Sequence, residues 1–337
     1  MATQLKIAYI LPSLDSKAPI FLAKRLSDYF IEKGHLVKVF YFDAIEKVTF
    51  NCSMERIDIN KPIDFDYFDI IHSHMFRPDK YISKFSKTIK KAKTISTLHC
   101  NIAEDLAYSY GKLVSFVFTK LWISYLKKIN SIVQINDYLF DMYKNKLPHS
   151  SLIYNGISIS EEKDDYSEIL KVIEDFRLRH LSVICSYSGI VQRKDLAYVC
   201  IGNGTQKEEL KKFCEENKIT DRVYFSDFKK NPYNIMKYAD LFAIPSYSEG
   251  FSLALLEAGS IGSSVICSDI PAFACPFSIK EVSFFKLNDI ESLSRAVDEA
   301  LVNKEKKQNA LTTKIQKFFT EEIMFNKYDD LYHKILS

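Results

Sequence analysis

Residues 244–269 read IPSYSEGFSLALLEAGSIGSSVICSD, and this stretch decides the fold. An apolar strand ends at Pro245 and a short polar loop runs to Phe251. Ser252 is placed to cap a helix that starts at Leu253. The helical pattern runs to Ile261, and a second apolar strand, Val265–Cys267, follows. Strand, loop, helix and strand in 26 residues form a β-α-β unit, which predicts neighbouring parallel strands. The first backbone N–H groups of such a helix have no intrahelical acceptor. With the helix dipole they make a site for an anion such as a diphosphate, and Gly250 lets the chain pass close to it.

The same alternation extends in both directions. Ile7–Leu11, Val37–Phe42, Asp69–His72, Thr94–Leu98 and Ser131–Ile135 read as strands. Helical patterns run from Pro19 to Lys33, Glu104 to Lys128 and Asp137 to Lys144, and SLIYNGI at 151–157 is a last short strand and exit turn. The polar run 158–165 reads as a linker. A second series follows, with strands at Val183–Ser188, Tyr198–Ile201, Val223–Phe225, Leu241–Ile244 and Val265–Cys267. Helices at Lys207–Asn217, Asn234–Tyr238 and Ser252–Ile261 separate them, before a charged helical tail from Ile290. The expected fold is α/β: two Rossmann-like, doubly wound domains, 1–157 and 158–337, facing a ligand cleft. The last helix is a candidate to pack back on the first domain.

Composition narrows the function classes. The 337 residues are 47% hydrophobic and 26% charged, with a formal net charge of +3, which gives no reason to expect a nucleic-acid partner. Seven cysteines without C-x-x-C spacing speak for free thiols in a reducing cytoplasm, not for a disulfide framework or structural zinc. The first residues, MATQLKIAYILP, read as a strand and not as a signal peptide. A membrane span needs about 20 apolar residues, and the most apolar run, Leu113–Leu126, is shorter and contains Lys120. Lysines 84, 87, 90, 91 and 93 cluster either as a solvated helix face or as a membrane-facing patch.

Two carboxylates, Glu249 and Glu257, bracket the anion site with seven residues between them. Such a pair can accept hydrogen bonds from hydroxyls on both sides of a diphosphate. It is equally the acidic first turn of an ordinary helix. SEGFSLALLEA resembles the Glu-x7-Glu signature of retaining glycosyltransferases of the GT-B fold, family 4. GHLVKVFYF, FDIIHSHMF, TLHCN and YNGI stand in that family's order, and TLHCNIAEDLAYSYGK is similar to enzymes that build bacterial capsule and O-antigen chains. The resemblance implies that Glu249 contacts the transferred sugar and Glu257 the ribose, while Gly250, Phe251, Ser252, Leu253 and Ala254 line the sugar and phosphates. It implies that Arg193 and Lys194 neutralise the diphosphate, and that His99 hydrogen-bonds the donor sugar. His72 and His74 are acceptor-side candidates. Asp227 and Phe228 lie where the base would sit, beside the GNGT loop at 202–205. Asp64-Phe65-Asp66 has a metal-binding D-x-D form but reads as a solvated turn, and no metal is required.

The activity implied is retaining transfer of a hexose or N-acetylhexosamine from a nucleotide sugar, UDP-linked by default, to a lipid-linked oligosaccharide in surface-polysaccharide synthesis. The expected location is the cytoplasm, with peripheral contact at the inner face of the membrane. For that contact the helix Glu104–Lys128 has two readings, a membrane-resting face and a buried core helix. Two departures from the family pattern stand out. PSLDSKAP carries Lys17 and Ala18 where glycines are expected after the first strand. Gly189–Ala197 is too short for the parallel crossover between its flanking strands, which takes a dozen or more residues. The rival readings are a catalytically impaired sugar-nucleotide-binding or scaffolding relative, and a sugar-nucleotide epimerase or phosphorylase on the same fold.

Overall fold

A computed structural model describes residues 4–159, 165–179, 182–185, 193–229 and 231–337. The end of the expected strand at 186–188 and most of the linker therefore lie outside the described residues. The chain divides into two units: Met1–Tyr154 with Glu322–Ser337, and Asn155–Glu321.

The first unit opens with β1 (Lys6–Leu11), α1 (Ala18–Glu32), β2 (Leu36–Tyr41), β3 (Ser53–Arg56), β4 (Ile70–His74) and α2 (Phe76–Phe85). It continues with β5 (Lys93–Leu98), α3 (Ile102–Tyr110), α4 (Lys112–Leu126), β6 (Ser131–Gln134), α5 (Asp137–Tyr143) and β7 (Ser150–Leu152). The sheet order is β3-β2-β1-β4-β5-β6-β7, parallel throughout. Strands covered by helices on both faces are apolar along most of their length, which is why β1 reads IAYIL and is buried from Ile7 to Leu11. Pro19 sits in the first turn of α1, where its missing N–H costs nothing. Gly34 follows the helix at φ +86°, a conformation that suits glycine. The single helix expected over Glu104–Lys128 is two, because Gly111 adopts φ +84° and turns the chain between α3 and α4.

The second unit holds α6 (Ser167–Leu178), β8 (Ser182–Cys185), β9 (Leu196–Ile201), α7 (Lys207–Glu216), β10 (Val223–Ser226), α8 (Tyr233–Met236) and β11 (Leu241–Ile244). Then come α9 (Leu253–Ser260), β12 (Val265–Ser268), α10 (Pro271–Ala274), β13 (Ser283–Phe285), α11 (Ile290–Val302) and α12 (Lys304–Phe318). Its parallel sheet runs β10-β9-β8-β11-β12-β13. Both sheets thus reverse their winding beside their first strand, as in a doubly wound fold. The last helix, α13 (Glu321–Leu336), returns to the first unit, where Tyr328, Leu331 and Tyr332 join the core around Ile7, Tyr9 and Leu11.

Candidate active site

In open parallel sheets, ligands bind past the carboxyl ends of the strands where the strand order reverses. In the second unit that point lies between β8 and β11. Residues 245–252 leave the carboxyl end of β11 there. Two serines set the loop's shape. The Ser268 hydroxyl, at the end of β12, donates to the Ser246 carbonyl at 2.6 Å, and Ser246 Oγ donates to Glu249 Oε1 at 2.8 Å. Burial pushes the Glu249 carboxyl above its ordinary pKa, and the Ser246 hydrogen bond pulls it partly back. Ser252 has the extended backbone of an N-cap, but its hydroxyl makes no capping bond. The first-turn amides of α9 are therefore left for another acceptor.

Gly250, Ser252, Leu253, Ala254 and the two carboxylates thus belong to one loop and one helix start. Glu257 lies just over a turn into α9 and is half-buried. Phe251 differs from its neighbours. Its side chain is buried and packs on Phe319 at 5.4 Å between ring centroids, so it offers a ligand only its backbone.

Arg193 and Lys194 are not brought to this loop. They precede β9, and β9 is parallel to β8, which is parallel to β11, so they stand at the amino edge of the sheet while Glu249 stands at the carboxyl edge. Arg193 is forked between Asp195 at 2.6 Å and Asp298 at 2.8 Å, with Ser294 Oγ at 3.1 Å, and these carboxylates raise its pKa further. β8 ends at Cys185 and β9 starts at Leu196, a connection shorter than the dozen or more residues of a usual parallel crossover, and Arg193 and Lys194 are the residues just before β9.

In the first unit, three histidines gather near the carboxyl ends of β4 and β5. His72 is fully buried and is not an acceptor-side group. Its Nδ1 lies 2.6 Å from Tyr332 Oη and its Nε2 lies 2.8 Å from Thr97 Oγ1, and desolvation drops its pKa to about 3. Tyr9 Oη and Tyr328 Oη extend this buried chain at 3.2 and 3.0 Å. His74 is buried too. Its Nδ1 lies 2.9 Å from Nε2 of the half-buried His99, and its own Nε2 has no partner among the described residues. Burial brings His99 to about 3 and holds His74 well below its ordinary value, so both rings are neutral near pH 7.

The D-x-D stretch holds backbone in place, with Asp66 accepting the amides of Lys90 and Lys91 at 2.9 and 2.8 Å. Asp227 pairs with Lys207 at 2.8 Å, and Phe228 is exposed. Among the described residues, no group of three or more His, Cys, Asp or Glu is gathered to hold a metal ion.

Comparison with known proteins agrees with the fold. Two parallel-stranded, doubly wound units define the GT-B architecture. The HepE protein of Anabaena, solved with UDP and glucose, superposes over 98% of this chain and 100% of its own with a TM-score of 0.78 at 12% identity. Residues 160–318, within the second unit, match the family model Glycosyl transferases group 1. An O-antigen biosynthesis glycosyltransferase of Escherichia coli, WclY, is 29% identical over 355 aligned positions, covering 98% of this chain and 99% of the relative. That alignment is longer than the 337-residue chain, so the relative has residues with no counterpart here. A UDP-Gal:alpha-D-GlcNAc-diphosphoundecaprenol alpha-1,3-galactosyltransferase of Escherichia coli is 32% identical over 115 residues, 32% of this chain and 30% of its own.

Proposed function

We propose that this protein transfers a hexose or N-acetylhexosamine, with retention of anomeric configuration, from a UDP-sugar to a lipid-linked oligosaccharide during assembly of a bacterial surface polysaccharide. It works at the inner face of the cytoplasmic membrane. The observation that carries the reading is the start of α9, where uncapped first-turn amides lie between Glu249 and Glu257. A diphosphate that gains charge as its glycosidic bond breaks is stabilised by fixed dipoles already aimed at it. Glu249 holds the transferred sugar, Glu257 the ribose hydroxyls, and His99 a sugar hydroxyl. The phosphate oxygen released from the sugar takes the acceptor's proton, and no metal ion is needed. The relatives named for O-antigen synthesis and for a diphosphoundecaprenol acceptor support the acceptor class.

The test is a panel of UDP-sugars with a polyprenyl-diphosphate oligosaccharide, with product mass and anomeric configuration read by mass spectrometry and NMR. Transfer with retention, abolished by Glu249→Ala, is the expected result. An inverted product, or full activity without Glu249, overturns the reading.

One observation favours a second reading. With Arg193 and Lys194 at the far edge of the sheet, the diphosphate lacks its expected cations. A donor-binding relative with weak or no turnover would bind a UDP-sugar in the same assay and release no product.

A further inference from the structure

The α3–α4 hairpin leaves an unusual surface open. Tyr108, Tyr110, Leu113, Phe116, Val117 and Phe118 are all exposed, Leu113 at 79% and Phe116 at 59%. The helix is therefore no core element: within α4 only Ser115, Trp122 and Leu126 are buried. Isolated exposed apolar residues are ordinary, but a contiguous run of large ones marks an interaction surface. Beside it, an apolar groove of about 580 Å³ lies between the two helices, floored by Ala103, Ala107 and Ile123 and rimmed by Lys112, Lys120, Lys127 and Lys146. No acidic residue occurs between Asp105 and Asp137, and none of these four lysines has an acidic partner among the described residues. Lys120 instead lies over the Phe116 ring at 3.9 Å, its stem covering apolar surface while its charge stays at the rim. The base of α4 is fixed, because Trp122 Nε1 donates to buried Asp79 at 2.7 Å.

We infer that this face docks on an anionic lipid bilayer, with the aromatic and aliphatic side chains entering the headgroup boundary and the lysines meeting lipid phosphates. The charge pattern selects this occupant. A second copy of the chain would oppose like-charged lysines across the contact, whereas a bilayer accepts an apolar face and a cationic rim together. No described helix is long and apolar enough to cross the membrane, so the contact is peripheral. The inference specifies where the protein proposed above meets the membrane that holds its acceptor, and it can be tested without donor or acceptor.

The experiment is co-sedimentation of the full chain with phosphatidylcholine vesicles, with and without phosphatidylglycerol. Binding to the anionic vesicles is expected to be about ten-fold stronger, and to fall as salt is added. Lys120→Gln should weaken it about five-fold and Phe116→Ser about ten-fold, while Lys212→Gln, on α7, leaves it unchanged. Equal binding to both vesicle types, or binding indifferent to Phe116→Ser, overturns the proposal. So does a chain that ignores vesicles and sediments as a dimer through this face. Vesicle binding without glycosyl transfer would leave this surface standing and remove the catalytic reading.

Discussion

His74 Nδ1 and His99 Nε2 lie 2.9 Å apart, so one ring must donate to the other. Both are neutral near pH 7, each with a single N–H. If His99 donated, the remaining hydrogen of His74 would sit on a buried Nε2 that no described group accepts. A buried donor without an acceptor is rarer than an acceptor without a donor. His74 is therefore the donor, and His99 keeps its hydrogen on Nδ1, where it can be offered to a sugar hydroxyl. Nitrogen-15 NMR of labelled histidine should show both rings as Nδ1–H tautomers. His74→Asn, whose amide stands in for Nδ1–H, should keep transfer within about three-fold of wild type. His74→Leu should lose about ten-fold in kcat, the value of one hydrogen bond of about 1.4 kcal/mol. An Nε2–H tautomer at His99 would refute the assignment.

Asp79 gives the fold a pH dependence. It is fully buried at the start of α2, accepts from Ser73 Oγ at 2.6 Å and from Trp122 Nε1, and burial raises its pKa to about 6. A raised folded value means that the folded state binds the proton more tightly. The contribution of Asp79 to stability is therefore largest below the unfolded carboxylate pKa, and it is lost as pH rises from about 4 to about 6. Urea midpoints should fall across that window by the equivalent of about 2–3 kcal/mol from this group. Asp79→Asn, which does not titrate, should flatten the profile. A profile that keeps its slope in the variant would place the titration elsewhere.

The fold was legible because period and punctuation carry it: strands such as IAYIL and VICS are continuous apolar runs, and Gly34 stands where the helical pattern after the first strand ends. The Glu249 loop was legible for the same reason. Three kinds of feature were not. The helix 104–128 is one amphipathic pattern in sequence, and only the positive φ at Gly111 makes it two. HSH puts His72 and His74 on one face of β4, but the partner that seals His72, Tyr332, lies 260 residues away. Arg193 and Lys194 resemble a diphosphate clamp by residue type, and residue type does not show that they stand just before β9, at the amino edge of the sheet.

Gly156 tests the close approach that ties the entry of the second unit to its exit. Ile157 bridges Thr320 there, and a Cβ on Gly156 would meet the Thr320 carbonyl oxygen at 2.3 Å and its carbon at 2.6 Å. Both are backbone atoms and cannot rotate away. Gly156→Ala should cost about 1–3 kcal/mol, read as a lower melting temperature. Gly204→Ala, where a Cβ meets nothing within 4 Å, should be close to neutral. Equal melting temperatures for the two variants would show that the bridge yields easily.

Arg193 separates a donor clamp from a structural ion pair. A cation that neutralises a leaving diphosphate contributes to the transition state, and its removal should cost a factor of about 100 or more in kcat/KM. An arginine held by Asp195 and Asp298 at the amino edge of the sheet contributes instead to local stability, about 1 kcal/mol for partners more than half exposed. From this geometry, Arg193→Ala should lower the melting temperature slightly and leave UDP-sugar affinity, measured by calorimetry, within about two-fold. Asp298→Ala should reproduce the loss of stability, since it removes the same pair from the other side. If Arg193→Ala instead abolishes donor binding while Asp298→Ala does not, the β8–β9 connection must bring Arg193 to the diphosphate when the donor is bound.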